Sequence, residues 1–163
     1  MGHAISAVVL RGEFDRQRAD EFDLKPIATK YGVTIFPLDA RFCDYWEAKL
    51  DVSGFVSDYP LLNCRVVHHM MQQIAPVAMF AVIQTDYHGG VGQQWAAVYQ
   101  GDQELMPTTT TPGGPVSIGV SRRPINKALR LLGVRPWISD AFTAIGLHHY
   151  RDWDDLFEQH RDR

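Results

Sequence analysis

Residues 77–83 form an unbroken apolar run, and residues 95–99 form another, with a polar, glycine-rich stretch between them. Apolar runs this short, rich in β-branched and aromatic residues, read as strands at the heart of a sheet. Two such strands close together in sequence pair most simply as an antiparallel hairpin, here with a long connection. A chain built around that unit must make a sheet, and its remaining elements must cover the faces. The strands are expected near residues 77–85 and 94–100.

Residues 5–10 supply a third strand, bounded by Arg11-Gly12, and residues 33–38 a fourth. Asp39 then stands where a helix cap is needed. Beyond it Phe42, Tyr45, Trp46 and Leu50 recur at helical spacing along residues 41–50. The clearest helix is expected over residues 60–74, with Pro60 in its first turn. One face carries Cys64, Val66, Val67, Met70, Met71 and Ile74. The other carries Arg65, His68, His69, Gln72 and Gln73, which are expected to be solvated. Residues 121–132 predict a further amphipathic helix, with Ile125, Ala128, Leu129 and Leu132 inward and Gly133 as its stop. Residues 15–22 suit a short helix or loop, and 140–145 and 152–158 suit short helical pieces. Residues 108–115 are Thr, Pro and Gly, a loop composition. The expectation is a single α+β domain over residues 1–163. It has one mixed or antiparallel sheet of about four to five strands with three or more packed helices.

A chain of 163 residues, 45% hydrophobic and 21% charged, can bury a core without a staple. The net charge is −3 and the basic residues are scattered, which argues against a nucleic-acid surface. No apolar run reaches the length of a membrane span. The N-terminus has neither a basic leading segment nor a cleavage site, so a cytoplasmic location is expected. Cys43 and Cys64 read as two buried thiols. Trp46 and Trp95 are expected to pack, and Trp137 and Trp153 to be partly exposed.

The most distinctive segment is Thr85-Asp86-Tyr87-His88-Gly89-Gly90-Val91-Gly92-Gln93-Gln94. Read as a loop at the end of the sheet, it presents Asp86, Tyr87, His88, Gln93 and Gln94 as binding groups. Gly90 and Gly92 would allow positive backbone angles and close approach of another chain or ligand. Asp86 and His88 could act as an acid–base pair. The bland alternative is a turn whose polar groups satisfy its own backbone.

Familiar catalytic signatures are missing from the sequence. It has no Gly-x-Ser-x-Gly elbow, no phosphate-binding Lys-Ser or Lys-Thr loop and no HExxH pairing. The adjacent pairs His68-His69 and His148-His149 do not aim at one ion. No catalytic residue, no metal and no cofactor is expected. Arg122-Arg123, at a helix start, runs against the helix dipole; the pair reads as a solvated surface patch, or else as an anion or acidic-partner contact.

Four stretches together resemble a family of short, stand-alone, uncharacterised bacterial proteins. They are the opening Met-Gly-His-Ala-Ile, the segment Thr-Asp-Tyr-His-Gly-Gly-Val-Gly-Gln-Gln-Trp-Ala-Ala-Val-Tyr, the helix Ile-Asn-Lys-Ala-Leu-Arg-Leu-Leu-Gly-Val and the ending Ile-Gly-Leu-His-His-Tyr-Arg. The resemblance runs nearly end to end and brings no catalytic residues with it. In size and acidic balance such proteins are similar to the immunity partners of bacterial toxins. That analogy implies a protein-binding protein with a toxin-like partner, which the acidic balance would match to a basic one. The alternative is a small enzyme or ligand-binding protein with its site in residues 86–94.

Overall fold

The computed structural model describes residues 2–57, 61–88, 91–111 and 123–157. Six strands form one antiparallel sheet: β1 (His3–Arg11), β2 (Ile27–Ala28), β3 (Val33–Leu38), β4 (Met79–His88), β5 (Val91–Gln100) and β6 (Gln103–Thr110), in the order β2-β3-β1-β4-β5-β6. The helices are α1 (Arg16–Glu21), α2 (Ala40–Leu50), α3 (Arg65–Ile74), α4 (Pro124–Leu131) and α5 (Ala141–Ala144). Sheet and helices make the α+β class expected, with more strands than the four to five foreseen. The extra ones are β2, only two residues long, and β6. Residues 108–110 had read as loop, yet they pair with β5 through Trp95↔Thr110 and Ala96↔Thr109.

Strand alternation sorts the side chains onto two faces. One face shows Val8, Leu10, Phe36, Leu38, Phe80, Val82 and Ala97, all buried. Helices α1, α2 and α3 cover it. On this side Phe14 meets Phe36 edge-on at 5.1 Å and Phe22 meets Trp46 at 5.5 Å. The opposite face shows Ala7, Val9, Ala81, Ile83, Ala96 and Val98, and α4 lies across it with Ile125, Ala128 and Leu129 inward. Each large apolar side chain so buried stabilises the fold by about 1.5–3 kcal/mol. The sheet is therefore rigid where it carries a site.

Local signals explain the helix starts. Asp39 caps α2 by accepting a hydrogen bond from Phe42 N at 2.7 Å, as its position predicts. Asp15 and Asp140 do the same for α1 and α5. Helix α3 begins later than its sequence suggests: Cys64 is its capping residue and lies outside the helix proper. Pro60 falls outside the described residues. Cys43 and Cys64 are both buried, as expected. Their mutual hydrogen bond, then burial, push the Cys43 thiol well above its ordinary range, which leaves it a poor nucleophile.

The expected solvated face of α3 needs one correction. His68 is half-buried, edge-on to Tyr99 at 4.5 Å and to Phe80 at 5.2 Å. Its Nε2 lies 2.7 Å from Asn63 Oδ1, and Asn63 Nδ2 donates to the Tyr99 hydroxyl at 2.8 Å. The amide oxygen can only accept, so Nε2 carries the hydrogen. Burial lowers the His68 pKa to about 4, and the more distant Asp102 carboxylate opposes this.

Past α5 the chain crosses from one face of the sheet to the other. Strand β3 pairs with β1 only from Ser6 onward, so the start of β1 has a free side. The C-terminal segment uses it: Ala4 N donates to Arg151 O at 2.8 Å, and Trp153 Nε1 donates to Ser6 O at 2.8 Å. Trp153 is thus buried, contrary to the partial exposure expected, because its indole N–H finds a backbone partner. Trp137 is exposed.

Candidate functional site

The segment that reads as a long loop is largely strand. Pairing between β4 and β5 continues through Thr85↔Gln94, Asp86↔Gln93, Tyr87↔Gly92 and His88↔Val91. Only residues 89 and 90 separate the strands, and Gly90 with its neighbour lies outside the described residues. The connection is therefore short, and the candidate residues alternate between faces. Tyr87, Gly92 and Gln94 fall on the α4 side. Asp86, His88 and Gln93 fall on the other.

That division separates two chemistries. His88 Nε2 lies 2.8 Å from Asp86 Oδ1, so the acid–base pair read from the sequence does form. Both side chains are largely in water, 75% and 54% exposed respectively, where such a pair has little strength. Among the described residues, no group of three or more His, Cys, Asp or Glu side chains is arranged to hold a metal ion. In particular, His69 brings no such set together with Asp86 and His88.

On the α4 side, Tyr87 and Gln94 line a cavity of about 370 Å³ together with His3, Arg123, Asn126, Asp140, Phe142, Thr143 and His148. A volume of this order suits a small ligand. Strand positions supply the floor: His3 is paired with Tyr87 across β1 and β4, and Gln94 sits diagonally on β5. Gly92 lets the Tyr87 ring lie across the neighbouring strand. A Cβ there would come 2.6 Å from Tyr87 Cα and 2.7 Å from its Cδ1, besides striking the Asp86 carbonyl. Gly92 does not have a positive backbone angle; its constraint is steric.

The walls are tied down by hydrogen bonds. Asn126 Oδ1 accepts from Phe142 N at 2.9 Å, which fixes α5 to α4. Asp140 accepts from Thr143 N at 2.9 Å and from Thr143 Oγ1 at 3.0 Å. His3 Nε2 faces Leu147 O at 3.1 Å, and a carbonyl only accepts, so Nε2 donates. The other ring nitrogen, Nδ1, lies 2.7 Å from Thr85 Oγ1. Both nitrogens of His3 are thereby occupied, which makes it a strut of the pocket.

Among the described residues, two buried polar atoms in this wall have no hydrogen-bond partner. Gln94 is 3% exposed, and its Oε1 is buried without a hydrogen bond. The Arg123 Nε is likewise buried and unsatisfied. Burial raises the Tyr87 pKa above its ordinary value, while the nearby Arg123 charge and a hydrogen bond with Gln94 act in the opposite sense. Sequence reasoning named Tyr87 and Gln94 but missed His3, Asn126, Asp140, Phe142 and Thr143. Arg123 had one signal, a cation at a helix N-terminus.

No family model, curated protein or solved structure matches the chain. The site's own geometry therefore carries the functional argument.

Proposed function

We propose that the protein binds a small polar molecule in the pocket between the β4–β5 hairpin, α4 and α5. The observation that carries this reading is the Gln94 carbonyl oxygen. Leaving a buried acceptor unpaired costs about 1–3 kcal/mol, and natural folds usually satisfy such a group with protein, water or a ligand. Gln94 lines the cavity, so a small turn of its side chain would let a ligand donor satisfy the oxygen. Among the described residues lining the site none is an activated nucleophile, and the activity proposed is capture of the ligand. A screen of small polar fragments by ligand-observed NMR tests it. Fragments are expected to bind the parent protein and to lose binding in Gln94→Leu. Fragments that bind both proteins equally would count against the pocket.

A second reading is a protein partner, in the manner of a toxin-neutralising immunity protein. It is favoured by Trp137 and Ile138, adjacent on the segment before α5 and 101% and 99% exposed. Exposed aromatics of this kind anchor interfaces. Their neighbours Arg130 and Arg135 line a hollow of about 290 Å³ together with Asp140, so the local balance is positive by one charge and would suit an acidic patch more than a basic toxin. Trp137→Ser should alter stability by less than about 0.5 kcal/mol. It should release any protein partner that the parent retains in a pull-down. Equal retention by the variant would remove Trp137 as the anchor.

A further inference from the structure

The pocket's unpartnered groups specify what would complement them. Gln94 Oε1 accepts, so it calls for a ligand N–H or O–H. The Arg123 Nε donates, so it calls for an acceptor, and a guanidinium fork fits a carboxylate best. Arg123 also precedes the first turn of α4, which has Pro124 at its start and no side-chain cap. The positive end of that helix favours the same anion.

The opposite sign is present as well. Asp140 lines the cavity, and its two oxygens take only one hydrogen bond each from Thr143 in the bonds described above. A carboxylate has further lone pairs on both. Among the described residues Arg123 and Asp140 are not paired with each other. A simple anion would meet Asp140, and a simple cation would meet Arg123. A molecule carrying both charges satisfies the two together. Phe142 and His3, with ring centroids 5.4 Å apart, form an aromatic wall for an apolar side group.

Resting on the small-molecule reading of this pocket, we propose that its ligand is a small zwitterionic amino-carboxylate, in the simplest case a free amino acid. Its carboxylate lies on Arg123 and its ammonium faces Gln94 Oε1 and Asp140. Its side chain packs on Phe142.

The test is calorimetric titration of the full-length protein with the common L-amino acids one at a time. At least one is expected to saturate a single site. On the unaltered protein, the amide of that amino acid, which lacks the carboxylate, and its N-acetyl form, which lacks the ammonium, should each bind about tenfold or more weakly. Arg123→Gln should weaken the amino acid by a similar factor while leaving the amide's affinity as it was. Binding that ignores either derivative or the Arg123 change overturns the proposal. So does a pocket that takes neutral or singly charged fragments but no amino acid, and in that case the small-molecule reading survives. If neither fragments nor amino acids bind, both fail.

Discussion

Gly92→Val is expected to destabilise the protein by about 3 kcal/mol, lowering its melting temperature by roughly 6–12 °C. The reason is local and steric. Gly92 sits opposite Tyr87 in the hairpin, and a Cβ would press on Tyr87 Cα at 2.6 Å and on the ring at 2.7 Å. Two of the contacts are backbone atoms, which cannot swing aside. Relief requires the strands to part or the ring to leave its place over Gly92. Either movement opens the pocket floor, so ligand binding should fall along with stability. Thermal unfolding followed by circular dichroism is the check. A melting temperature equal to the parent's would mean that the strand pairing at Tyr87↔Gly92 is wrong.

Acid is expected to destabilise the protein through His68. The buried ring is accepted neutral, with a folded pKa of about 4 against 6.5 for the free side chain. Between those values the unfolded chain binds a proton that the folded chain refuses. The contribution is therefore complete above pH 6.5 and is lost as the pH falls toward 4. Its full size is about 3 kcal/mol. Carboxylates titrate over part of the same range, so the parent is best compared with His68→Phe. Urea unfolding at steps from pH 7 to pH 4 should show a steeper loss in the parent. The difference should close toward low pH. Parallel curves would mean that the ring is solvated, as the polar face of its helix suggests on sequence grounds.

His68 shows where a sequence pattern runs out. Its place on the wheel is polar, yet Asn63, Tyr99 and Phe80 enclose it from other elements. Nothing local encodes those neighbours. The elements with strong periodicity fare better. The strand at residues 33–38, the cap at Asp39 and the short helical piece within residues 140–145 follow from local patterning alone. So do the inward faces of α3 and α4. Strand β6 was hidden because its threonines and Pro107 carry loop composition, and as an edge strand it need not be apolar.

The hairpin end was hidden for a related reason. Asp86, His88, Gln93 and Gln94 interrupt the apolar runs, so the strands seem to stop early. The dipeptide Gly89-Gly90 was the available signal, since two-residue connections favour it. With the strands extended, period-2 alternation alone assigns Tyr87 and Gln94 to one face and Asp86 and His88 to the other. The rest of the site comes from β1, α4, α5 and the segment after α5, far apart in sequence. No spacing rule could gather them.

The central claim is that Gln94 is held for a ligand and not for the fold. The measurement that tests it most directly is the unfolding free energy of Gln94→Leu. Replacing Gln94 by an apolar side chain of similar size removes the cost of its unpaired oxygen and gives up its hydrogen bond with Tyr87, two effects of similar size and opposite sign. The account predicts a stability within about 0.5 kcal/mol of the parent's or above it. A loss of about 2 kcal/mol or more would show that the amide supports the structure, and would contradict the account.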